Sequence, residues 1–339
     1  MAPRTRKVQN SEFSTPNSNP EPQTLRVGSS IKERRLDKYL HGRFSNLTRR
    51  FLQDVIRQGE VKVNGKVAKQ SLKLCPGDEI YLRLPEPPSK DILPEDIPLD
   101  IIYEDADLIV LNKQPGIIVH PARGNTHGTL VNALAFYSDS LSTGLGEFRP
   151  GIVHRLDRNT TGVMVVTKKD GAQWRIAKQF EQRKIKKTYL AIVHGTPELN
   201  ADRINAPLGV HPTAREKYAI RPDTGKEAIT FYEVLESFRG FALLKMSPRT
   251  GRTHQIRVHL SYIKHPIVAD DMYGGKLVYR WQLADTEPAV QEPLLGRVAL
   301  HAFSLEFKHP TTEKIVQFEA PLPQDMQKLL DALREHRRI

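Results

Sequence analysis

The sequence of 339 residues contains one cysteine, Cys75, and no long hydrophobic run. A single cysteine excludes an intramolecular disulfide and a thiolate metal cluster built from this chain alone. The longest apolar stretches are only as long as strands, so no segment is predicted to span a membrane. Residues 1–30 also lack the apolar segment of a secretory signal. Together these absences predict a cytoplasmic protein.

The sequence also lacks the motifs that bind nucleotides or activate a serine, because it contains no Gly-x-Ser-x-Gly, no Walker loop and no dinucleotide fingerprint. His254 and His259 are five residues apart, which places them on different faces of a helix, and the other histidines add no zinc-binding spacing. Asp270 and Asp271 could bind Mg²⁺, but they precede a Tyr-Gly-Gly turn and have the pattern of loop residues. We therefore predict no metal and no cofactor.

Positive charge is in excess, with 51 lysines and arginines against 39 acidic residues and a net charge of +12. Such an excess indicates a polyanionic partner, either nucleic acid or an anionic membrane face. Residues 31–84 hold 13 basic and 6 acidic residues, so this segment carries seven of the twelve surplus charges. The arginines that dominate it are Arg34, Arg35, Arg43, Arg49, Arg50 and Arg57. Exposed arginines are ordinarily only solvated, but so strong a local imbalance favours a binding surface.

Composition and periodicity divide the chain into five segments. They are a disordered tail (1–30), a basic helix–helix–hairpin unit (31–85), a linker (86–96), a larger domain (97–325) and a basic C-terminal helix (326–339). The larger domain mixes helices and strands without regular βαβ alternation. This pattern predicts an α+β fold around a mixed, mainly antiparallel sheet.

Local patterns predict individual elements within these segments. In the small unit, a capping box at residues 30–33 should begin a helix, Ser45 should cap a second one, and Asn64-Gly65 should turn a hairpin. In the larger domain, we predict a hairpin at 101–111, helices at 129–136 and 171–185, a strand at 189–193, and a hairpin pairing 228–235 with 241–246.

Residues 154–162, with the sequence HRLDRNTTG, are the most informative stretch. Asp157 lies between Arg155 and Arg158, next to an apolar strand, and charges are seldom set against a buried strand unless they are paired or used. Guanidinium neighbours hold a carboxylate in its ionised form, in which it can act as a nucleophile or base. An ion pair that only stabilises the loop would give the same pattern, and these nine residues do not distinguish the two.

A second polar cluster occupies residues 249–259. Thr253 is predicted to cap a helix, which places Arg257 in its first turns and leaves Arg249 and Arg252 on the preceding loop. One interpretation is an anion-binding helix terminus, which is a common feature. The other is that Arg257 orients a catalytic carboxylate while Arg249 or Arg252 holds a substrate phosphate.

Several ordered motifs together resemble the RluA/RluD family of RNA pseudouridine synthases. The motifs are residues 112–121 (NKQPGIIVHP), 154–162, 187–195 (KTYLAIVHG) and 249–259, and the similarity covers about residues 31–325. The resemblance implies an S4-like (αL) RNA-binding domain followed by a pseudouridine synthase catalytic domain. It favours the RluD-like, large-subunit ribosomal RNA group.

The resemblance also implies a reaction and the residues that perform it. Uridines in RNA, with 23S ribosomal RNA as the favoured target, would be flipped out and isomerised to pseudouridine. Asp157 would be the essential carboxylate, whether it attacks C1′, attacks the base or removes a ribose proton; Tyr189 would stack under the uracil and Arg257 would pair with Asp157. Arg155 would enter the base stack. The residues expected to bind substrate are His154, Arg155, Thr161, Arg249, Arg252 and His254.

The partner implied is RNA, as ribosomal RNA or a pre-ribosomal particle, gripped through its phosphates by the arginines of the basic unit. No membrane and no obligate protein partner are implied. Three alternatives remain: a different target such as tRNA, a non-catalytic RNA-binding or ribosome-assembly protein, and a hydrolase that uses Asp157. A glycosidase usually needs a second carboxylate at a set distance, and the sequence shows no obvious one.

Overall fold

The computed structural model describes residues 22–31, 35–44, 47, 49–84, 92–120, 127–138, 140–144, 150–287 and 292–339. Predictions for residues 1–21, Arg34, Ser45 and most of the linker fall outside these residues, as does the side chain of Arg50. The chain forms two compact units, Met1–Lys90 and Asp91–Ile339. No helix in the described part of the chain is long and apolar enough to cross a membrane.

The small unit packs two helices on an antiparallel sheet. Its elements are β1 (Gln23–Arg26), α1 (Leu36–Arg43), α2 (Arg49–Arg57), β2 (Val61–Val63), β3 (Lys66–Val67) and β4 (Glu79–Leu82). The sheet order is β1-β4-β2-β3, and Leu36, Leu40, Leu52 and Ile80 are fully buried between the layers. Asn64 and Gly65 have φ angles of 52° and 76°, as the predicted two-residue hairpin turn requires.

Two predictions for the small unit are wrong. Order begins before Ser30, because residues 23–26 of the predicted disordered tail pair with β4 as strand β1. A strand of four residues among Pro, Asn and Gln has too little pattern to be recognised locally. The helix predicted to begin at Ser30 begins only at Leu36, after Arg35, whose backbone is extended; residues 32 and 33 of the predicted capping box lie outside the described residues. The backbone NH of Leu36 donates to the Leu72 carbonyl and Arg35 bridges to Lys73, so a neighbouring loop fixes where this helix starts.

The large unit is built on one extended sheet. Its strands are β5 (Asp100–Glu104), β6 (Leu108–Lys113), β7 (Thr161–Thr167), β8 (Lys186–His194), β9 (Ala201–Asn205), β10 (Leu208–Val210), β11 (Tyr218–Ile220), β12 (Ile229–Phe238), β13 (Phe241–Pro248), β14 (Leu300–Lys308) and β15 (Ile315–Glu319). Nine of the strands described here form the order β5-β6-β7-β14-β8-β13-β12-β9, with β15 paired to β14, while β10 and β11 pair separately. The β7–β14 pair is parallel and the others are antiparallel, which confirms the predicted mixed, mainly antiparallel sheet.

Helices cover this sheet. They are α3 (Leu130–Tyr137), α4 (Asp170–Glu181), α5 (Gln255–Tyr262), α6 (Arg280–Leu283) and α7 (Gln324–His336). The predicted helix at 171–185 is shorter than expected, because Arg183 adopts a left-handed φ of 58° before β8 begins. Helix α5 is capped by His254 in a left-handed conformation, rather than by Thr253.

Strand β14 lies between β7 and β8 and so joins the segments that carry Asp157 and Tyr189. Gly162 in β7 pairs with Ala302 in β14, and it has a φ of 115°. A Cβ at Gly162 would lie 2.1 Å from the Ala302 carbonyl oxygen. The close approach of the two backbones therefore requires glycine at the end of the Asp157 loop.

Candidate active site

A cavity of about 110 Å³ opens at the end of β7, beside β8 and the first turn of α5. The loop before β7 contributes Asp157, β8 contributes Tyr189, and α5 contributes Arg257. Three residues from separate sequence motifs thus meet in one cavity, as the sequence predicts.

The side chain of Asp157 is one-fifth exposed and faces a guanidinium and an imidazole. Its Oδ2 accepts a hydrogen bond from Arg257 Nη1 at 3.3 Å, and its Oδ1 lies 3.9 Å from His254 Nε2. The predicted flanking partners are not its partners in the described structure. Arg155 is exposed, and Arg158 turns away to donate from Nε to the Gly116 carbonyl at 3.0 Å. The cation that pairs with Asp157 therefore comes from α5, although Arg155 also lines the cavity.

Arg257 is itself held by a second carboxylate, Asp270. Arg257 Nε and Nη2 donate to the two Asp270 oxygens at 2.7 Å each, and its guanidinium lies 4.9 Å from the centre of the Tyr273 ring. Burial opposes the charge of Arg257, but the hydrogen bonds and charge of Asp270 and the charge of Asp157 outweigh it and raise its pKa. The guanidinium is therefore a fixed cation that links two carboxylates.

Asp270 is a site residue that the sequence analysis missed. It is 1% exposed, in a turn stabilised by the hydrogen bond from Gly275 NH to its carbonyl. The sequence did contain a signal: Asp270 closely follows Ile267 and Val268, which are fully buried. The argument that singled out Asp157, a carboxylate set against a buried apolar stretch, applies equally to Asp270.

Tyr189 is half-buried in the cavity wall, and its hydroxyl makes no hydrogen bond to a described residue. Burial, and then the negative charge of Asp157, raise the pKa of this phenol above its usual value. The ring is therefore neutral at physiological pH and presents both an aromatic surface and a hydroxyl donor.

Two predicted substrate ligands have structural contacts instead. Thr161 is buried with its hydroxyl 2.9 Å from His301 Nδ1, so it does not line the cavity; its neighbour Thr160 does. His154 Nε2 accepts from the backbone NH of Val165 at 3.0 Å, and its ring stacks on Phe180. Burial, followed by the charge of a nearby lysine, lowers the pKa of His154 to about 3, so this ring stays neutral.

A third predicted substrate ligand, His254, lines the cavity. Its Nδ1 lies 2.8 Å from the Tyr273 hydroxyl, which also accepts a hydrogen bond from the backbone NH of Tyr218. Burial lowers the pKa of His254, although the charge of Asp157 opposes this effect. His254 thus ties the loop before α5 to the turn that contains Asp270.

Arg155, Arg249 and Arg252 surround a groove of about 480 Å³ that continues from the cavity. Arg249 and Arg155 are exposed, whereas Arg252 donates from Nε to the Glu227 carbonyl at 3.1 Å. The three arginines give the groove beside the cavity a positive charge.

Comparison with known proteins identifies the family. The profile described as RNA pseudouridylate synthase matches residues 107–262, and the S4 domain profile matches residues 34–80. An uncharacterized RNA pseudouridine synthase from Chlorobaculum parvum is 41% identical over 92% of this chain and 97% of that protein. Ribosomal large subunit pseudouridine synthase D from Xanthomonas campestris pv. campestris is 39% identical over 91% of this chain and 92% of that protein. The chain belongs to the RNA pseudouridine synthase family.

A solved structure supports the same family assignment. The human RNA pseudouridylate synthase domain containing 4 structure superposes with a TM-score of 0.53 at 27% identity, covering 69% of this chain and 93% of that one. The resemblance seen in the sequence is thus confirmed, and with it the enzyme class: the chain is an RNA pseudouridine synthase, an isomerase with an N-terminal S4 domain that binds RNA.

The arginines of the S4 domain of this pseudouridine synthase are partly engaged within the domain. Arg35 and Arg49 form ion pairs at 3.1 and 2.6 Å with Asp37, whose side chain is fully buried. Burial disfavours the charged form of Asp37, but hydrogen bonds from both arginines and Gln53 outweigh it and lower its pKa. Arg57 pairs with the nearby Asp54. These guanidinium groups remain about half exposed, so each can still meet a phosphate.

Arg43 is exposed and has no ion pair with a described residue of the synthase.

A candidate metal cluster of Asp105, Asp107 and His309 lies in the large unit, away from the cavity, but its ligand atoms are engaged. His309 Nε2 lies 2.8 Å from Asp105, and Lys169 Nζ lies 3.0 Å from Asp107. This cluster has the contacts of a polar network that joins two hairpin turns.

Proposed function

We propose that this enzyme isomerises uridines of large-subunit ribosomal RNA to pseudouridine, with Asp157 as its catalytic carboxylate. The observation that carries the assignment is the meeting of Asp157, Tyr189 and Arg257 in one cavity. Relatives named ribosomal large subunit pseudouridine synthase D support this target, and the S4 domain supports an RNA substrate. Such a substrate would place the reaction in the cytoplasm.

The reaction breaks the C1′–N1 bond of uridine, turns the base and joins C1′ to C5, while C5 loses a proton and N1 gains one. Arg257 orients Oδ2 of Asp157, and Oδ1, 3.9 Å from His254 Nε2, would be the oxygen that meets the nucleoside. A carboxylate in this position can act on the sugar or the base. The cation beside it stabilises the negative charge before and after the reaction.

Tyr189 would support the flipped base from one side. Extruding a base from an RNA helix costs a few kcal/mol, and stacking a base on an aromatic ring recovers about 1–3 kcal/mol. Because the pKa of the phenol is raised, its hydroxyl would donate a hydrogen bond rather than accept the C5 proton in the resting enzyme. Arg155, Arg249 and Arg252 would contact the phosphates on either side.

The cavity does not favour hydrolysis. Asp157 is the only carboxylate among the described residues that line it, and both oxygens of Asp270 are occupied by Arg257. A glycosidase that used two carboxylates would need a second, free one facing the same bond.

Asp157→Asn tests the assignment, because it removes the charge and keeps the size of the side chain. We expect RNA affinity close to that of the parent and no pseudouridine. Purified protein would be incubated with transcripts of large-subunit ribosomal RNA and of tRNA, followed by nucleoside mass spectrometry and sequence mapping, with Asp202→Asn on the exposed strand β9 as the matched control. Activity of Asp157→Asn would refute the catalytic role. Modification of tRNA alone would refute the ribosomal target, and release of free uracil would indicate a hydrolase.

A further inference from the structure

Lys187 occupies the junction between the catalytic cavity and the groove beside it. It lines both spaces and lies two residues before Tyr189 on β8, so the two side chains point to the same face of the sheet. Two residues along a strand span about 7 Å. The backbone of Lys187 therefore lies about 7 Å from that of Tyr189, whose ring would hold the target base.

The ammonium group of Lys187 has little to compensate its charge. Its Nζ donates a long hydrogen bond of 3.4 Å to the Thr250 carbonyl, and no carboxylate among the described residues lies within ion-pair distance. A Cβ at Gly251 would lie 3.8 Å from Nζ, so the loop before α5 also closes over the amine. Burying a cation without a partner costs free energy, and an apolar side chain of similar length would fill the same space. A lysine at position 187 is therefore not expected to make the fold more stable than an apolar residue of similar length would.

The surroundings of Lys187 add to its positive charge. Four arginines share the groove, namely Arg155, Arg183, Arg249 and Arg252, and the acidic residue among its lining is Glu181. Arg183 pairs with Glu227 outside the groove lining, whereas Arg155 and Arg249 are exposed. The positive charge of this groove favours an anion. A nucleoside of RNA bound in the adjoining cavity would be joined covalently to a phosphodiester on each side.

We propose that Lys187 binds the phosphodiester next to the target uridine, and that the groove receives the RNA backbone on that side. This inference rests on the proposed function, because it takes the base to be stacked on Tyr189. The phosphate would supply the counter-charge that Lys187 lacks in the free enzyme, so the bound state would contain a short charge-assisted hydrogen bond.

A linkage to pH follows. In the free protein, burial and then the charge of Arg183 lower the pKa of Lys187 to about 8. A bound phosphate would raise that pKa, so above pH 8 binding takes up a proton and affinity falls as pH rises. The other charged or titratable groups that line the two spaces with Lys187 are His154, Glu181 and the four arginines of the groove, Asp157, His254 and Arg257 of the cavity, and Tyr189 on its own strand. His154 has its pKa at about 3 and arginines stay protonated, so these groups do not reproduce the effect near pH 8.

Three variants test the proposal: Lys187→Met, Lys187→Arg, and Lys245→Met as the control, since Lys245 is a strand lysine paired with Glu233 on β12. RNA dissociation constants would be measured in the Asp157→Asn background, which prevents turnover, and kinetics in the active enzyme. We expect Lys187→Met to weaken binding about tenfold or more and to reduce the salt slope by about one. Lys187→Arg should restore most of the affinity and remove its decline between pH 8 and 9.5.

Thermal unfolding separates binding from folding. Because no carboxylate among the described residues pairs with the ammonium group, Lys187→Met should unfold at the parent temperature or above, whereas loss of a lysine needed for structure would lower the unfolding temperature. An unchanged dissociation constant and salt slope in Lys187→Met, with the parent still forming pseudouridine, would overturn the phosphate role alone. A parent that forms no pseudouridine on any RNA tested would instead overturn the proposed function.

Discussion

Replacing Asp270 by asparagine removes one of the two charges that hold Arg257. The side chain of Asp270 is fully buried and that of Arg257 is 10% exposed, and two hydrogen bonds of 2.7 Å join them. An asparagine can accept only one of these bonds, and its amide would meet the other NH group. The guanidinium should therefore rotate away from the position in which it faces Asp157.

The size of the effect can be estimated from burial. Breaking a buried ion pair by changing one partner costs about 3–5 kcal/mol. Asp157 remains 3.3 Å from Arg257 Nη1 and keeps part of the compensation, so we expect the lower value, about 3 kcal/mol. In a unit of this size, this corresponds to a fall of roughly 6–12 °C in the melting temperature. Misplacing a catalytic group by about 1 Å costs roughly a hundredfold in rate.

Steady-state kinetics of isomerisation, measured well below the melting temperature, would report the loss of catalytic rate separately from the loss of stability. We expect kcat to fall by roughly one to two orders of magnitude with little change in KM. Asp271→Asn is the matched control, because Asp271 is exposed and adjacent. If Asp270→Asn lost stability but turned over at the parent rate, Asp270 would support only the fold. If neither quantity changed, the geometric reasoning about this pair would be wrong.

Three further changes have expected outcomes. Gly162→Ala should lower the melting temperature sharply or prevent folding, as seen by circular dichroism, because its Cβ would lie 2.1 Å from the Ala302 carbonyl oxygen. Gly171→Ala on the exposed side of α4 meets nothing within 4 Å and should raise stability by about 1 kcal/mol in chemical denaturation. Burial and then the charge of Arg297 lower the pKa of Lys113 to about 7 from 10.5. Between these values the native state binds fewer protons than the unfolded state, so this residue makes stability rise with pH, and Lys113→Met should flatten that rise. If the free energy of unfolding rose equally steeply with pH in the parent and in Lys113→Met, this prediction would be contradicted.

Local patterns predict much of the site and the fold. The polar segment before β7, the helix that carries Arg257 and the strand that carries Tyr189 all follow from periodicity and from charges set against apolar runs. The hairpin at Asn64-Gly65 and the helix predicted at 129–136 also depend only on near neighbours, and both form, the helix as α3 with Thr129 as its cap. Interactions over a few residues are therefore well represented in the sequence.

The interaction partners of the site residues cannot be predicted from local sequence, because loops distant in the chain supply them. Arg155 and Arg158 are adjacent to Asp157 in sequence, yet the cation that meets it comes from position 257 and is positioned by Asp270. In the S4 domain, Asp37 engages Arg49 twelve positions further on, which a count of charges does not reveal. Strand β1 is recognisable only once β4 provides its hydrogen-bonding edge.

The late place of β14 in the chain has a consequence for synthesis. Both halves of the catalytic centre emerge before it, and β14 follows β8 by more than a hundred residues. Until Leu300–Lys308 has been made, β7 and β8 have no strand between them to set their spacing, and each presents an unsatisfied hydrogen-bonding edge. A nascent or prematurely terminated polypeptide should thus be inactive and prone to aggregation. Catalytic activity should appear only once β14 has been synthesised and has paired with β7 and β8.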